Sequence, residues 1–244
     1  LGYGPFSSIA YSKPPFEGVS GQEVQAFFEN KVPGWIDART SKWGDGIFAD
    51  DEPEEDDYVL VLAQNFKDET VDGMWFGNYW TALCSVVNAL VQIGSRVVVK
   101  LHPWTDGTNG FDHNGKPKPP TKTEASDKAK AALEQLGTSV SVYSGPSSVH
   151  GFLRKARCVV LCNSGSGLEA MLHKKPIISW GFPEYHWATY DLRHLCDLPR
   201  ALTLDWFDAD EVAKFICWYA EHYCIYDYNS AVRRVGELLG EPPL

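Results

Sequence analysis

Val159 to Gly181 reads VVLCNSGSGLEAMLHKKPIISWG. An apolar run ends at Cys162, small residues fill 163–167, apolar residues return at helical spacing, and a second apolar run, PIISW, follows. The pattern is strand, loop, helix, strand. A bend holding two glycines and two serines where a helix begins lets backbone N–H groups approach a ligand closely, which is how chains grip phosphate. Tight strand-to-helix turns also favour Gly and Ser for conformational reasons alone, so these residues by themselves leave both readings open.

The alternation continues on both sides. YVLVLAQ, Tyr58 to Gln64, is a buried strand by its continuous apolar run, and Asn78 to Val91 carries Trp80, Leu83, Val87, Leu90 and Val91 at helical spacing. RVVVKLHP, Arg96 to Pro103, is a second strand. A polar loop over 105–123 precedes a helix with Ala129, Ala132, Leu133 and Leu136 on one stripe, which Gly137 stops. TSVSVYS is a third strand, Val149 to Ala156 a short helix and RCVVLC a fourth strand. Beyond the quoted stretch, ALTL (Ala201 to Leu204) is expected as the last strand, with closing helices over Asp208 to Tyr223 and Ser230 to Leu239. Strands separated by helices predict right-handed crossovers and a Rossmann-like, mostly parallel sheet with helices on both faces. Ligands of such sheets sit outside the carboxyl ends of the strands. Gln64 to Thr70, His102 with Pro103, and Asn163 to Gly167 all fall there and are expected to share one crevice.

Composition bounds the alternatives. The 244 residues are 44% hydrophobic and 13% aromatic, enough for a substantial core. The longest apolar runs are far too short to cross a bilayer, which predicts a soluble chain without a transmembrane segment. Much of the net charge of −10 comes from Asp50 to Asp57, DDEPEEDD, whose seven acids read as a solvated linker. The remaining acids nearly balance the bases, so the folded part can still take an anionic ligand; nothing points to nucleic acid. Six cysteines lie in apolar patterns without metal-ligand spacing. They read as buried small hydrophobes in a reducing, cytoplasmic setting. Residues 1–57 mix prolines, glycines and aromatics, with one convincing helix at Gln22 to Asn30. The expected division is therefore an N-terminal segment with its acidic linker at 1–57, the remnant or end of another domain, and a Rossmann-like domain at 58–244.

Individual residues carry double readings. His102 at a strand terminus can donate to a phosphate oxygen or simply cap a loop. Lys100, two residues earlier, can add charge or snorkel. Glu169 in the first turn of its helix can close a capping box with Ser166 or accept ribose hydroxyls. Asp68 and Glu69, in the loop after the first strand, are the expected general base or nucleophile, the role a carboxylate fills near a reacting centre; charged loop tips are otherwise only solvated. His150, His173, His194 and His222 show no convergent pattern and read as structural or surface groups.

Together these segments resemble the capsule polysaccharide biosynthesis glycosyltransferases, the bacterial Kdo transferases and their GT-B-type relatives. The resemblance rests on Gln64, Asp68 and Thr70 after one strand, and on Lys100, His102 and Pro103 after another. It extends to Ser164, Ser166, Gly167, Glu169 and Ala170 in a serine-rich loop and helix, and to Pro183, Tyr185, Trp187, Thr189 and Asp191 in PEYHWATYD. It implies a GT-B-type nucleotide-binding domain with a reduced or truncated N-terminal domain. It further implies that a sugar moves from a nucleotide-sugar co-substrate to a glycan acceptor without a metal or other cofactor. On this basis Gln64, Lys100, His102, Ser164, Gly165, Ser166, Gly167, Glu169, Pro183 and Tyr185 hold the donor, and Asp68 and Glu69 serve catalysis. The chain departs from the family at Phe66 and Lys67, where an acidic pair is usual, and at Glu184, where Phe is common. The family default donor is CMP-Kdo; a UDP-hexose or UDP-deoxyhexose uses the same phosphate chemistry. Partners would include other domains of a larger polypeptide, and any membrane association would be peripheral, through those partners.

Two rival readings stand beside this one. Gly165 to Ala170 also matches the G-x-G-x-x-A dinucleotide fingerprint, with Glu184 as the ribose acid of an NAD-dependent oxidoreductase. Against it, three strands precede the fingerprint and the remaining chain looks too short for a six-stranded sheet. The other rival is a non-catalytic nucleotide- or sugar-binding module.

Overall fold

The computed structural model describes residues 7–41, 48–49, 51–66, 71, 78–103 and 123–224. Six strands make one sheet: β1 (Tyr58–Leu62), β2 (Val97–Lys100), β3 (Val140–Tyr143), β4 (Ala156–Leu161), β5 (Ile177–Ser179) and β6 (Tyr190–Asp191). Their order is β3-β2-β1-β4-β5-β6 and every pairing is parallel. This is the doubly wound arrangement, with its switch point between β1 and β4.

Both faces of the central strands are covered, which is why they read as unbroken apolar runs. Side chains alternate by the pleat. Tyr58, Leu60, Leu62, Val98, Val159 and Leu161 point into one cluster with Phe152, Met171 and Phe215. Val59, Val61, Val97, Val99, Cys158, Val160 and Cys162 point into the other, with Leu83, Leu90, Leu133 and Leu198. α5 (Val149–Lys155), α6 (Ser166–Leu172) and α8 (Ala209–Trp218) supply the first face; α3 (Tyr79–Gln92), α4 (Glu124–Glu134) and α7 (Leu198–Ala201) supply the second. Local chemistry sets several starts. Asn78 caps α3 through its side chain, Thr123 and Ser126 form a reciprocal capping box on α4, and Asp208 caps α8.

The amino-terminal part packs on the first face. Ile9, Phe16, Val19, Phe27 and Val32 belong to the same cluster as the sheet, and the Ser7 hydroxyl meets that of Tyr223 at 3.0 Å. It contains two α-helices, α1 (Gly21–Asn30) and α2 (Val32–Asp37), rather than the one expected. Pro33 sits in the first turn of α2, where its missing N–H has no intrahelical partner to lose. The acidic stretch is anchored along the sheet. Glu52 pairs with Arg154, Glu55 accepts from Ser141 and Tyr143, and the Ser147 hydroxyl donates to Asp51 at 2.7 Å. The Asp51 carbonyl presses on Gly151 where any Cβ would collide with it.

Three expectations are corrected. Ala201 to Leu204 is not a strand: Leu198–Ala201 is a helical turn with Pro199 at its start, and β6 is Tyr190–Asp191. The chain does complete a six-stranded sheet, because β6 needs only two residues beside β5. The cysteines are not uniformly buried, since Cys196 is exposed and Cys84 and Cys224 are half-buried. The closing helix expected at Ser230 to Leu239 lies outside the described residues, as does most of the loop over 105–123.

Candidate functional site

In a parallel sheet every strand delivers its loop to the same edge, so the segments after β1, β2, β3 and β4 converge. At the switch point Gln64 is almost wholly buried. Its Oε1 accepts from the backbone N–H of Asn163 at 2.9 Å, and its own N–H donates to the Tyr79 hydroxyl at 2.7 Å. Gln64 thus ties the ends of β1 and β4 together and fixes the loop that follows.

That loop leads into α6. Gly165 is the N-cap and contributes no side-chain cap; the Ser166 N–H turns back to the Ser164 hydroxyl at 3.3 Å. The expected capping box between Ser166 and Glu169 does not form, because Ser166 is already the first helical residue. Gly167 has a definite reason to be glycine. A Cβ there would run into the ring and hydroxyl of Tyr185, a fully buried side chain that donates to the Ser164 carbonyl. Tyr185 therefore holds the loop from beneath. Pro183 is buried in the same segment.

Lys100, His102, Ser164, Gly165, Ser166 and Glu169 line one cavity of about 60 Å³, room for roughly two waters at 30 Å³ each. Gln64, Gly167, Pro183 and Tyr185 do not line it and support it instead. Lys100 is 7% exposed and lies 5.8 Å from the centre of the Phe152 ring. Among the described residues its ammonium makes no hydrogen bond and no ion pair. Burial pushes its pKa down to about 8, against the opposing pull of Asp51 and Glu169. A buried cation in a cavity lined by hydroxyl groups has the chemistry to hold an anion.

The opposite wall comes from Ser147, Ser148 and His150 at the start of α5, with Ser41 and Phe48 from the amino-terminal part. His150 donates Nε2–H to the Thr40 carbonyl at 3.0 Å, and its Nδ1 lies 2.8 Å from His173 Nε2. The two rings share one proton on that line. Burial, reinforced by His150, Lys175 and Arg154, pushes the His173 pKa down to about 3. The β3–α5 loop carried a readable signal: GPSS between a strand and a helix sits on the same edge as the other three segments. Nothing local marks Ser41 or Phe48. Asp68 and Glu69 lie outside the described residues. Glu184 is buried away from the cavity, with the Tyr219 hydroxyl 3.4 Å from its Oε1, and the G-x-G-x-x-A segment follows β4 rather than β1. Neither placement suits the dinucleotide reading.

The fold and cavity define a doubly wound parallel α/β protein with a hydroxyl-lined crevice, holding a buried lysine, at its carboxyl edge. Residues 29–195 match the family model of capsule polysaccharide biosynthesis proteins, and the chain belongs to that family. Solved structures to which the chain shows similarity include KpsC of Thermosulfurimonas dismutans, a beta Kdo 2,4 transferase. It is 18% identical, with 83% of this chain and 57% of that one covered at a TM-score of 0.49. A glycosyltransferase from Rickettsia africae is 9% identical, with 92% and 52% covered at 0.43. The UDP-GlcNAc 2-epimerase of Methanocaldococcus jannaschii is 13% identical, with 80% and 50% covered at 0.37. The chain spans about half the length of each of these structures. No curated protein matches it. Among the described residues, no helix is long and apolar enough to cross a membrane.

Proposed function

We propose that the chain is the nucleotide-sugar-binding part of a glycosyltransferase, moving a sugar from a CMP-Kdo-like or UDP-hexose donor to a glycan hydroxyl in surface polysaccharide synthesis. The observation that carries this reading is the convergence of Lys100, His102 and the Ser164–Ser166 loop on one cavity, around an ammonium with no protein counter-ion within ion-pair distance among the described residues. The donor phosphate occupies that cavity. Lys100 supplies charge, His102 and the serine hydroxyls donate hydrogen bonds, and Glu169 accepts from the ribose. Transfer requires a carboxylate near the reacting carbon, the role of Asp68 with Glu69 beside it; no metal or further cofactor enters the scheme. The family to which the chain belongs supports the polysaccharide context.

The test is thermal stabilisation by CMP, UDP, GDP and NAD, because a ligand that binds only the native state raises the melting temperature. One pyrimidine nucleotide is expected to act, and His102→Ala to abolish the effect. Asp68→Ala keeps the nucleotide response and loses turnover in a mass-spectrometric donor screen with the parent polypeptide. Stabilisation by NAD alone refutes the transferase reading. A nucleotide response with neither hydrolysis nor transfer from any donor favours a non-catalytic binding module.

A further inference from the structure

Most large apolar side chains in the described residues are covered, and Tyr11 is a marked exception at 74% exposure. It is not a stray ring. Tyr11 contacts Phe182 with centroids 5.6 Å apart, Phe182 stacks on His186 at 4.5 Å, and His186 lies 4.4 Å from Trp187. Phe182, His186 and Trp187 are each only half-buried. The row begins just beyond the carboxyl end of β5, the strand next to β4, whose loop forms the anion cavity. Its placement is enforced rather than incidental, because Trp187 Nε1–H donates to the Ile9 carbonyl at 2.8 Å and so clamps the Tyr11 segment to the loop after β5.

His186 adds a polar feature that an ordinary hydrophobic patch lacks. Its Nδ1 faces the Pro183 carbonyl at 3.0 Å and must carry the proton there, since a carbonyl only accepts. Burial keeps this imidazole toward its neutral form. Nε2 is then a lone-pair acceptor, and no donor to it occurs among the described residues. The Tyr11 segment also forms one wall of a cavity of about 570 Å³, which Ile9, Lys13, Glu23, Trp218 and His222 help to line. The cavity mixes apolar floor with hydrogen-bonding groups of both signs. A saccharide ring has one face of C–H groups and a rim of hydroxyls, so it matches half-exposed aromatic faces interrupted by a single acceptor and followed by a mixed polar cavity. A lipid or an apolar helix would leave Nε2 of His186 buried without a donor.

We propose that the row Tyr11, Phe182, His186 and Trp187 is a saccharide-binding surface, on which the glycan acceptor lies on the same rim as the nucleotide pocket. The acceptor role rests on the transferase reading; the binding of sugar does not. A sugar hydroxyl donates to His186 Nε2, and the sugar C–H face covers Tyr11 and Phe182.

The experiment is saturation-transfer NMR on the full chain with three probes, Kdo, maltotriose and chitotriose, and a proline-rich peptide as comparison. Transfer to the C–H protons of at least one sugar is expected. It falls at least fivefold in Tyr11→Ala, whose exposed position leaves folding undisturbed, and persists in Tyr11→Phe, which keeps the ring. His186→Phe keeps the aromatic row, removes the acceptor and weakens binding about tenfold. CMP or UDP stabilisation is unchanged in all three variants, while His102→Ala removes it and leaves sugar binding intact. No transfer to any of the three sugars, transfer unaltered in Tyr11→Ala, or transfer to the peptide alone overturns the proposal while a nucleotide response still stands. Sugar binding without any nucleotide response keeps the surface and removes the transferase reading.

Discussion

Replacing Lys100 by Met removes the charge that the cavity holds and keeps the side-chain volume beside Phe152. The folded-state pKa of about 8 lies below the ordinary lysine value of 10.5, so between those values the unfolded chain binds more protons than the native one. Stability therefore rises with pH across that window, and below pH 8 the full cost of burying the ammonium is present. The gap corresponds to about 3 kcal/mol at ~1.4 kcal/mol per pH unit. Lys100→Met is accordingly expected to be more stable than the wild type by about 3 kcal/mol at pH 7, with the gain shrinking above pH 8 and gone near 10.5. Urea denaturation of both proteins at pH 7, 9 and 10.5 measures it, and groups common to both cancel in the difference. The same variant loses stabilisation by nucleotide, which separates a residue kept for binding from one kept for folding. A variant that is less stable than the wild type at pH 7, or whose gain is the same at pH 10.5, refutes the reasoning that the burial of the Lys100 ammonium outweighs the pull of Asp51 and Glu169.

Two further outcomes follow from the loops that support the cavity. Gly167→Ala collides with Tyr185 and is expected to cost about 1–3 kcal/mol by overpacking; in a Tyr185→Leu background, where the ring and hydroxyl are gone, the same change is neutral or stabilising because alanine is the better helix residue. Equal effects in the two backgrounds, measured by urea midpoints, remove Tyr185 as the reason for the glycine. The His173 pKa of about 3 lies below the ordinary 6.5, so its unfolded form binds the extra proton between those values and stability falls as the pH drops through them. His173→Phe flattens that acid limb, and an unaltered limb shows that the His150–His173 contact does not govern it.

The site was legible where its chemistry is local. Lys100, His102 and the Ser164–Glu169 segment each end a strand or open a helix, and a parallel sheet sends all such ends to one edge, so their meeting follows from order along the chain. The same rule applied to the β3–α5 loop finds Ser147, Ser148 and His150, whose GPSS signal was weaker than a glycine-rich run. Burial was not legible. Whether Lys100 snorkels or stays buried depends on Phe152 beneath it and on Phe48 in the cavity wall, residues far away in sequence. Gly165 and Gly167 look alike as text. One is an N-cap, and the other makes room for a tyrosine 18 residues further on.

The amino-acid sequence alone determined the doubly wound class and the edge of the sheet that binds, because apolar period and loop chemistry act over a few residues at a time. Short ambiguous runs were decided by tertiary structure. Ala201 to Leu204 carries a strand-like pattern, yet Leu198 and Ala201 are taken up as a helical turn against the second face, while two residues at Tyr190 complete the sheet instead. The aromatic row is likewise a product of folding alone, since Tyr11 meets Phe182 where the Trp187 indole N–H donates to the Ile9 carbonyl. A four-residue run has too little local free energy to choose its own conformation, and a contact across more than a hundred residues has no local signature at all; both are settled by which surfaces the packed core leaves free.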